Sequence, residues 1–386
     1  MGKRVAIVGV ADRIGKIQDN NVFGLFSDLL IEATKDAGLR RDDIDGIIAT
    51  QSLVFKHSRL STVLAEYAGI RNYKWADSVN LGAQSHGTMI SRAASAIKEG
   101  LADTIVIASV DFQLTGLTRD LAVKGMADIR HPEFERPYGL FMPAIMALKA
   151  RKYLHFYNAS PDIYPHVAVT MRKHASLKKD NVMYRDPITV EDVLKSKKIA
   201  EPLHLLDCAP IVDGGAVLIM TSEEKARNLK KKPVLYLGGG ENYSHDNFIQ
   251  DPDLLSTPIK CSVDRAFNRV DIKKSDVDIL FIHDAFTPVV IFALEDFGLC
   301  ERGAAGNFVK DGNIEINGAI PVNTNGGLLS QGHPGIPGGL LHVVEAIRQL
   351  RGECGPGQVH EAKVAASIHF GGPLSMASTS LWGVSI

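Results

Sequence analysis

Residues 322–339 read VNTNGGLLSQGHPGIPGG, with six glycines in eighteen positions. That density argues against an ordinary helix or strand, because glycine loses more backbone entropy on ordering than any other residue. Gly326 and Gly327 let backbone come close to a ligand. His333 stands between Gly332 and Pro334, just ahead of an apolar helix that opens near Gly338. A histidine on a rigid turn at a helix start is well placed to move protons near neutral pH. An incidental histidine in a tight turn is the plain alternative.

Outward from this turn, short β-branched runs alternate with amphipathic stretches, the pattern of an α/β protein. Strands are predicted over 5–10, 46–49, 104–109, 216–221, 234–238, 278–282, 365–369 and 378–385. Helices are predicted over 23–37, 87–99, 288–297 and 338–350. The two ends of the chain echo each other. RDDIDGII at 41–48 resembles KSDVDILF at 274–281, and AASAIKEG at 93–100 resembles VEAIRQLR at 344–351. The echo is faint, but it fits two related halves, 1–225 and 226–386. Residues 114–209, richer in charge, His and Tyr, read as an insertion capping the first half, where a substrate pocket is often shaped.

Three further segments carry candidate chemistry. FIHDAFT at 281–287 is an apolar strand that stops in His283-Asp284. The carboxyl end of a parallel strand is where α/β proteins bind ligands. Asp284 either orients His283 or caps the next helix. SIHFGGPLS at 367–375 ends a strand in His369, followed by Gly371 and Gly372; a structural histidine is an equal reading. LGAQSHGTMI at 81–90 leads into a helix of small and apolar residues. Its N-terminal dipole suits an anion, with Gln84, Ser85 and His86 as the polar groups. GGGENYSH at 238–245 reads as a glycine-rich turn without dinucleotide-binding spacing, so NAD is discounted. Tyr243 and His245 remain as pocket-lining candidates. The basic run 173–179 is read as a solvated face before a phosphate contact.

With 386 residues, 45% of them hydrophobic, the chain can bury a large core. A formal net charge of -1 gives no electrostatic case for nucleic acid or an anionic membrane. No apolar run reaches the roughly 20 residues of a membrane span. Cys208, Cys261, Cys300 and Cys354 lack metal-ligand spacing, so neither zinc nor a disulfide framework is expected. A cytoplasmic protein with reduced thiols is the expectation.

Taken together, GHP at 332–334 with NTNGG at 323–327, HDAFT at 283–287, FERPYG, DPITVEDVL, KIAEPL and DCAPIVDGG resemble the thiolase superfamily, in particular its sterol-carrier-protein-like thiolases. The resemblance runs the length of the chain. It implies a five-layer αβαβα thiolase fold built from two related halves, a dimer, and carbon–carbon bond cleavage or formation in an acyl-CoA. CoA is implied as a substrate, with no tightly bound cofactor. Members that use covalent catalysis open the buried helix near 81–87 with a cysteine, and many carry a second cysteine late in the chain. This sequence has Gln84 and Ser85 in the first region and His369-Phe370-Gly371-Gly372 in the second. That variant resembles a subgroup whose members pair with a small partner bearing a zinc finger and an OB-fold. The subgroup includes steroid side-chain retro-aldolases and the large subunit of benzoylsuccinyl-CoA thiolase.

The expected reaction is thiolysis of a β-ketoacyl-CoA, aromatic ones included, by direct attack of CoA without an acyl-enzyme. Retro-aldol cleavage of a β-hydroxyacyl-CoA and non-catalytic acyl-CoA or lipid binding are the alternatives. His283, His333 and His369 are the expected catalytic residues. Gln84, Ser85, Tyr243, Gly327, Gly371 and Gly372 are expected to line the substrate site.

Overall fold

The computed structural model describes residues 3–178 and 182–384. One nine-stranded mixed sheet runs through it. Its strands are β1 (Val5–Gly15), β2 (Gly46–Thr50), β3 (Trp75–Val79), β4 (Thr104–Phe112), β5 (Asp213–Ser222), β6 (Val234–Tyr243), β7 (Ile279–Ile282), β8 (Val364–Gly371) and β9 (Met376–Gly383). The order is β3-β2-β4-β5-β1-β6-β9-β8-β7. The helices that matter for the site are α1 (Val22–Ala37), α2 (Ser85–Lys98), α3 (Arg119–Asp128), α4 (Met142–Tyr157), α5 (Ile163–Ala175), α6 (Ile259–Phe267), α7 (Thr287–Phe297), α8 (Gly327–Gln331) and α9 (Gly338–Arg351).

The faint sequence echo is a real duplication of topology. In the first half β2 pairs parallel with β3 and with β4, β4 pairs antiparallel with β5, and β5 antiparallel with β1. In the second half Leu280 of β7 bridges parallel to Val322, β7 pairs parallel with β8, β8 antiparallel with β9, and β9 antiparallel with β6. The same order thus occurs twice, with one bridge at Val322 standing where β3 stands in the first copy. The copies join where Val5, Ala6 and Ile7 pair with Tyr236, Leu235 and Val234. The echoed charged segments are the short 3₁₀ turns Arg41–Asp43 and Lys274–Asp276, just ahead of β2 and β7.

Strand alternation sends side chains to both faces, so each half buries two apolar layers. Ala6, Val8, Ile47 and Val106 pack outward under α1. Ile7, Ile105, Ile279 and Phe281 pack inward against α2 and α9, which fill the centre. Leu280, Ala366 and Ile368 pack on the far side against α6, α7 and the cap helices α4 and α5. The result is the αβαβα layering. The Asn21 side chain accepts the Phe23 and Gly24 N–H groups to start α1, and Gly38 closes it in the left-handed conformation. Of the glycine-rich stretch 238–245 expected to be a turn, residues 238–243 are instead the end of β6: Gly239 and Gly240 leave no space for a Cβ against β9 and α6.

Asn323 ties the glycine-rich segment 322–339 to the sheet. Its side-chain amide copies a neighbouring strand: Oδ1 accepts the Ile282 N–H and Nδ2 donates to the Ile282 carbonyl, both at 2.8 Å. Asn323→Leu therefore leaves two buried backbone groups unpaired beside His283. It should cost about 3 kcal/mol, read as a lower denaturant midpoint at unchanged m-value.

Candidate active site

Four chain segments meet at one cavity of about 280 Å³. β7 ends and delivers His283, the turn after α8 delivers His333, the end of β8 delivers Phe370, Gly371 and Gly372, and the head of α2 delivers Gly82 and Ala83. The cap contributes Met126, Ile129, Arg130 and Met142, and the return from the cap contributes Cys208, Ala209 and Ile211. The walls are mostly apolar.

His283 and His333 stand edge to face with ring centroids 5.0 Å apart. The His333 backbone is pinned on both sides: its N–H donates to the Pro210 carbonyl (2.7 Å) and its carbonyl accepts the Val212 N–H (3.2 Å). Its ring is fixed too. Gly335 N–H donates to His333 Nδ1 at 3.0 Å, so the proton of the neutral ring sits on Nε2. His283 Nδ1 faces inward, buried and without a hydrogen-bond partner. Burial, followed by repulsion from the other histidines, holds His283 well below the usual imidazole range. Burial pushes His333 down to about 4, against a smaller upward pull from Asp284. Both rings are neutral at pH 7, one of them a fixed donor.

Asp284 does not orient His283 and does not cap the helix that follows it. Its carboxylate accepts the Leu328 N–H (2.8 Å) and reaches the Leu329 N–H (3.5 Å), capping α8 across the site. Gly327 is required by this contact. A Cβ there would overlap the Asp284 carboxylate, and its φ of +60° disfavours any other residue. Gly327 thus packs against Asp284 and is not among the residues that line the cavity.

Several other expectations are corrected by the local geometry. At the head of α2 the backbone turns so that Ala83 faces the cavity. Gln84 is buried on the other side, donating to Thr88 Oγ1 (3.0 Å) and to the Tyr243 hydroxyl (3.1 Å). Ser85 Oγ accepts the Leu81 N–H (2.7 Å), a cap within the turn. Tyr243 is 47% exposed and donates to Glu241, away from the cavity. His369 is enclosed, with both ring nitrogens unpartnered, because strand alternation directs Phe370 to the cavity and His369 to the central layer. There its ring meets His86 at 5.9 Å. In the basic run, Lys173 pairs with Glu315 and Lys178 with Glu345, and Lys179 lies outside the described residues. Gly371 and Gly372 line the cavity. A Cβ on Gly371 would overlap the Leu81 carbonyl, so the two halves touch through glycine at the cavity floor. Gly371→Ala should lower kcat about 100-fold by displacing that floor, while binding of CoA alone stays unchanged.

Sequence reasoning passed over Ala83, Arg130 and His342. His342 sits in α9 with Nε2 3.3 Å from Asp284 Oδ1 and its ring 6.2 Å from that of His283. Its spacing four residues after Gly338, on the buried face of α9, was the available signal. Cys208 does line the cavity, but burial pushes its thiol up to about 12, so it supplies no thiolate at neutral pH.

The buried histidines make an acid-labile core. His86 and His333 titrate near 4 folded, against 6.5 unfolded. Between these values the unfolded chain binds more protons, so stability is complete above pH 6.5 and falls as pH drops towards 4. Each contributes a loss of roughly 3 kcal/mol at the limit. The denaturant midpoint should therefore fall steeply between pH 6.5 and 4 and be flat from 7 to 8.

Residues 240–384 match the family model described as "Thiolase C-terminal domain-like". The chain is 32% identical over 376 residues to a "Steroid side-chain-cleaving aldolase" of Thermomonospora curvata, covering 94% of each protein. It is 31% identical to a "17-hydroxy-3-oxo-4-pregnene-20-carboxyl-CoA lyase" of Mycobacterium tuberculosis, covering 90% of this chain and 92% of that one. A solved structure named "Ltp2-ChsH2(DUF35) aldolase" superposes with a TM-score of 0.88 at 29% identity, over 99% of this chain and 98% of the other.

Proposed function

This chain belongs to the thiolase superfamily, among its sterol-carrier-protein-like members, and from that premise we propose that it cleaves a carbon–carbon bond of a β-hydroxyacyl-CoA by a retro-aldol reaction. One observation carries the proposal. The cavity brings together two neutral imidazoles, and the helix head that faces them presents Ala83 and no nucleophile. Such a site moves protons and holds an oxyanion without forming an acyl-enzyme. The aldolase and lyase names of the relatives support the same chemistry.

In this reading His333 Nε2–H points at the thioester oxygen, the atom on which enolate charge develops. A preorganised donor there typically contributes 100- to 1000-fold in rate. His283 accepts the β-hydroxyl proton. The Cα–Cβ bond breaks, its electron pair becomes the thioester enolate, and the β-carbon leaves as an aldehyde or ketone. Protonation at Cα then gives the shorter acyl-CoA. Backbone at Ala83 and at Gly371–Gly372 flanks the β-oxygen. Burial of both rings keeps them unprotonated at neutral pH, as a base requires.

The test is a pair of substrates of equal chain length, one β-hydroxyacyl-CoA and one β-ketoacyl-CoA. The proposal expects cleavage of the hydroxy compound alone. Cleavage of only the keto compound would put thiolysis in its place. A small partner subunit also belongs to the proposal, supported by the two-component name of the aldolase structure. Exposed Ile129, which lines the cavity, and exposed Phe134 and Tyr138 in the same cap segment offer it apolar surface. Co-expression with neighbouring gene products should yield a stoichiometric complex on size exclusion; elution of this chain alone would remove that component.

A further inference from the structure

We propose that the acyl group accepted by this cavity carries a carboxylate, and that Arg130 binds it. This rests on the acyl-CoA reading above and adds the chemical class of the acyl chain.

Arg130 is 3% exposed and lines the same cavity as His283 and His333, among Met126, Met142 and Phe286. Its Nε is buried without a hydrogen-bond partner. Its Nη2 reaches only the Met142 sulfur (2.7 Å), a weak acceptor. Among the described residues it makes no ion pair. Glu135 and Asp246 are the opposite charges that act on it, against the larger effect of burial. Glu135 instead accepts the His131 and Ile249 N–H groups, one on each oxygen and each within 3.0 Å, and makes no ion pair with Arg130. A second buried donor on the same cavity wall, Gln113 Nε2, is also unpartnered.

An enclosed cation among apolar side chains carries a large desolvation cost unless something pairs with it. Two unpartnered donors facing one cavity call for a ligand that brings acceptor oxygens. The guanidinium fork matches a carboxylate through two parallel N–H bonds. The phosphates of CoA are poor candidates for this place. Arg130 shares one cavity of about 280 Å³ with His283 and His333, and the acyl end of the thioester must enter that cavity for either histidine to act on it. The predicted substrate class is therefore a CoA thioester of a dicarboxylic acid, with its free carboxylate turned towards the cap.

The test uses two non-cleavable thioether analogues of an acyl-CoA, identical except that one ends in a carboxylate and the other in its methyl ester. By calorimetry the parent protein should bind the acid on the order of 100-fold more tightly. Arg130→Met should abolish that preference and leave ester binding within a few-fold. Arg130→Lys should keep part of it, since charge remains and the fork is lost. Folding of Arg130→Met is checked by its thermal midpoint, which should hold or rise because an unpaired buried charge is gone. Should that variant fail to fold, Arg130→Gln is measured in its place. Equal binding of acid and ester by the parent overturns the proposal, and so does equal weakening of both by Arg130→Met. Because the readout is binding, it stands apart from the cleavage chemistry: failure of retro-aldol cleavage would leave a carboxylate preference intact.

Discussion

His333→Ala lowers kcat for acyl-CoA cleavage about 100- to 1000-fold while KM changes little. The reason is geometric. The Gly335 N–H on Nδ1 and the backbone bonds to Pro210 and Val212 hold Nε2–H in one direction, towards the cavity. A donor fixed in advance needs no reorganisation when enolate charge appears, so its loss falls on the transition state and spares the ground state. His333→Gln, which can still present an N–H near that position, should recover part of the loss. A histidine that served only to fill the turn would give the opposite pattern: lower stability for both variants and a normal kcat for whatever remained folded. The experiment is steady-state kinetics of the three proteins, with thermal midpoints measured alongside.

Asp284→Ala should be the most destabilising single change at the site, by about 3 kcal/mol or more. It removes the cap of α8, leaves the buried Leu328 N–H without an acceptor, and takes away the carboxylate that stands 3.3 Å from His342. The Leu328 N–H alone accounts for a desolvation penalty of about 1–3 kcal/mol. Because α8 leads directly into Gly332 and His333, activity should fall together with stability. Asp284→Asn keeps one acceptor oxygen and should recover most of the stability, measured by urea denaturation. Equal midpoints for Asp284→Ala and the parent would mean that α8 is held by packing alone.

Much of the fold was legible because periodicity and punctuation agreed. The helices predicted over 23–37, 87–99, 288–297 and 338–350 lie within two residues of α1, α2, α7 and α9. The echo of 41–48 at 274–281 marks equivalent positions in two copies of one topology. His283 and His333 were legible because each sits where a regular element stops, and the fold brings those ends together. His369 shows the limit of that reasoning. It too ends a strand run, but one pleat decides which face a side chain takes, and a sequence does not say which face is the cavity. Ala83 is illegible for a related reason: the chemistry-bearing pair beside it is Gln84-Ser85, while the turn at Gly82 presents the small residue to the cavity. Arg130 was hidden in a segment whose composition reads as surface. Its significance comes from what surrounds it in space, not from its neighbours in sequence.

No helix of the described residues is long and apolar enough to cross a membrane. The central claim is a cleavage reaction that needs neither a protein nucleophile nor a second thiol. Its most direct test is to incubate the purified protein, with its partner if one co-purifies, with a β-hydroxyacyl-CoA in buffer free of CoA. The account predicts a carbonyl compound and a shortened acyl-CoA in equal amounts, at a rate that added CoA does not raise. Cleavage that appears only when CoA is supplied, with its acyl group transferred to that CoA, would contradict it.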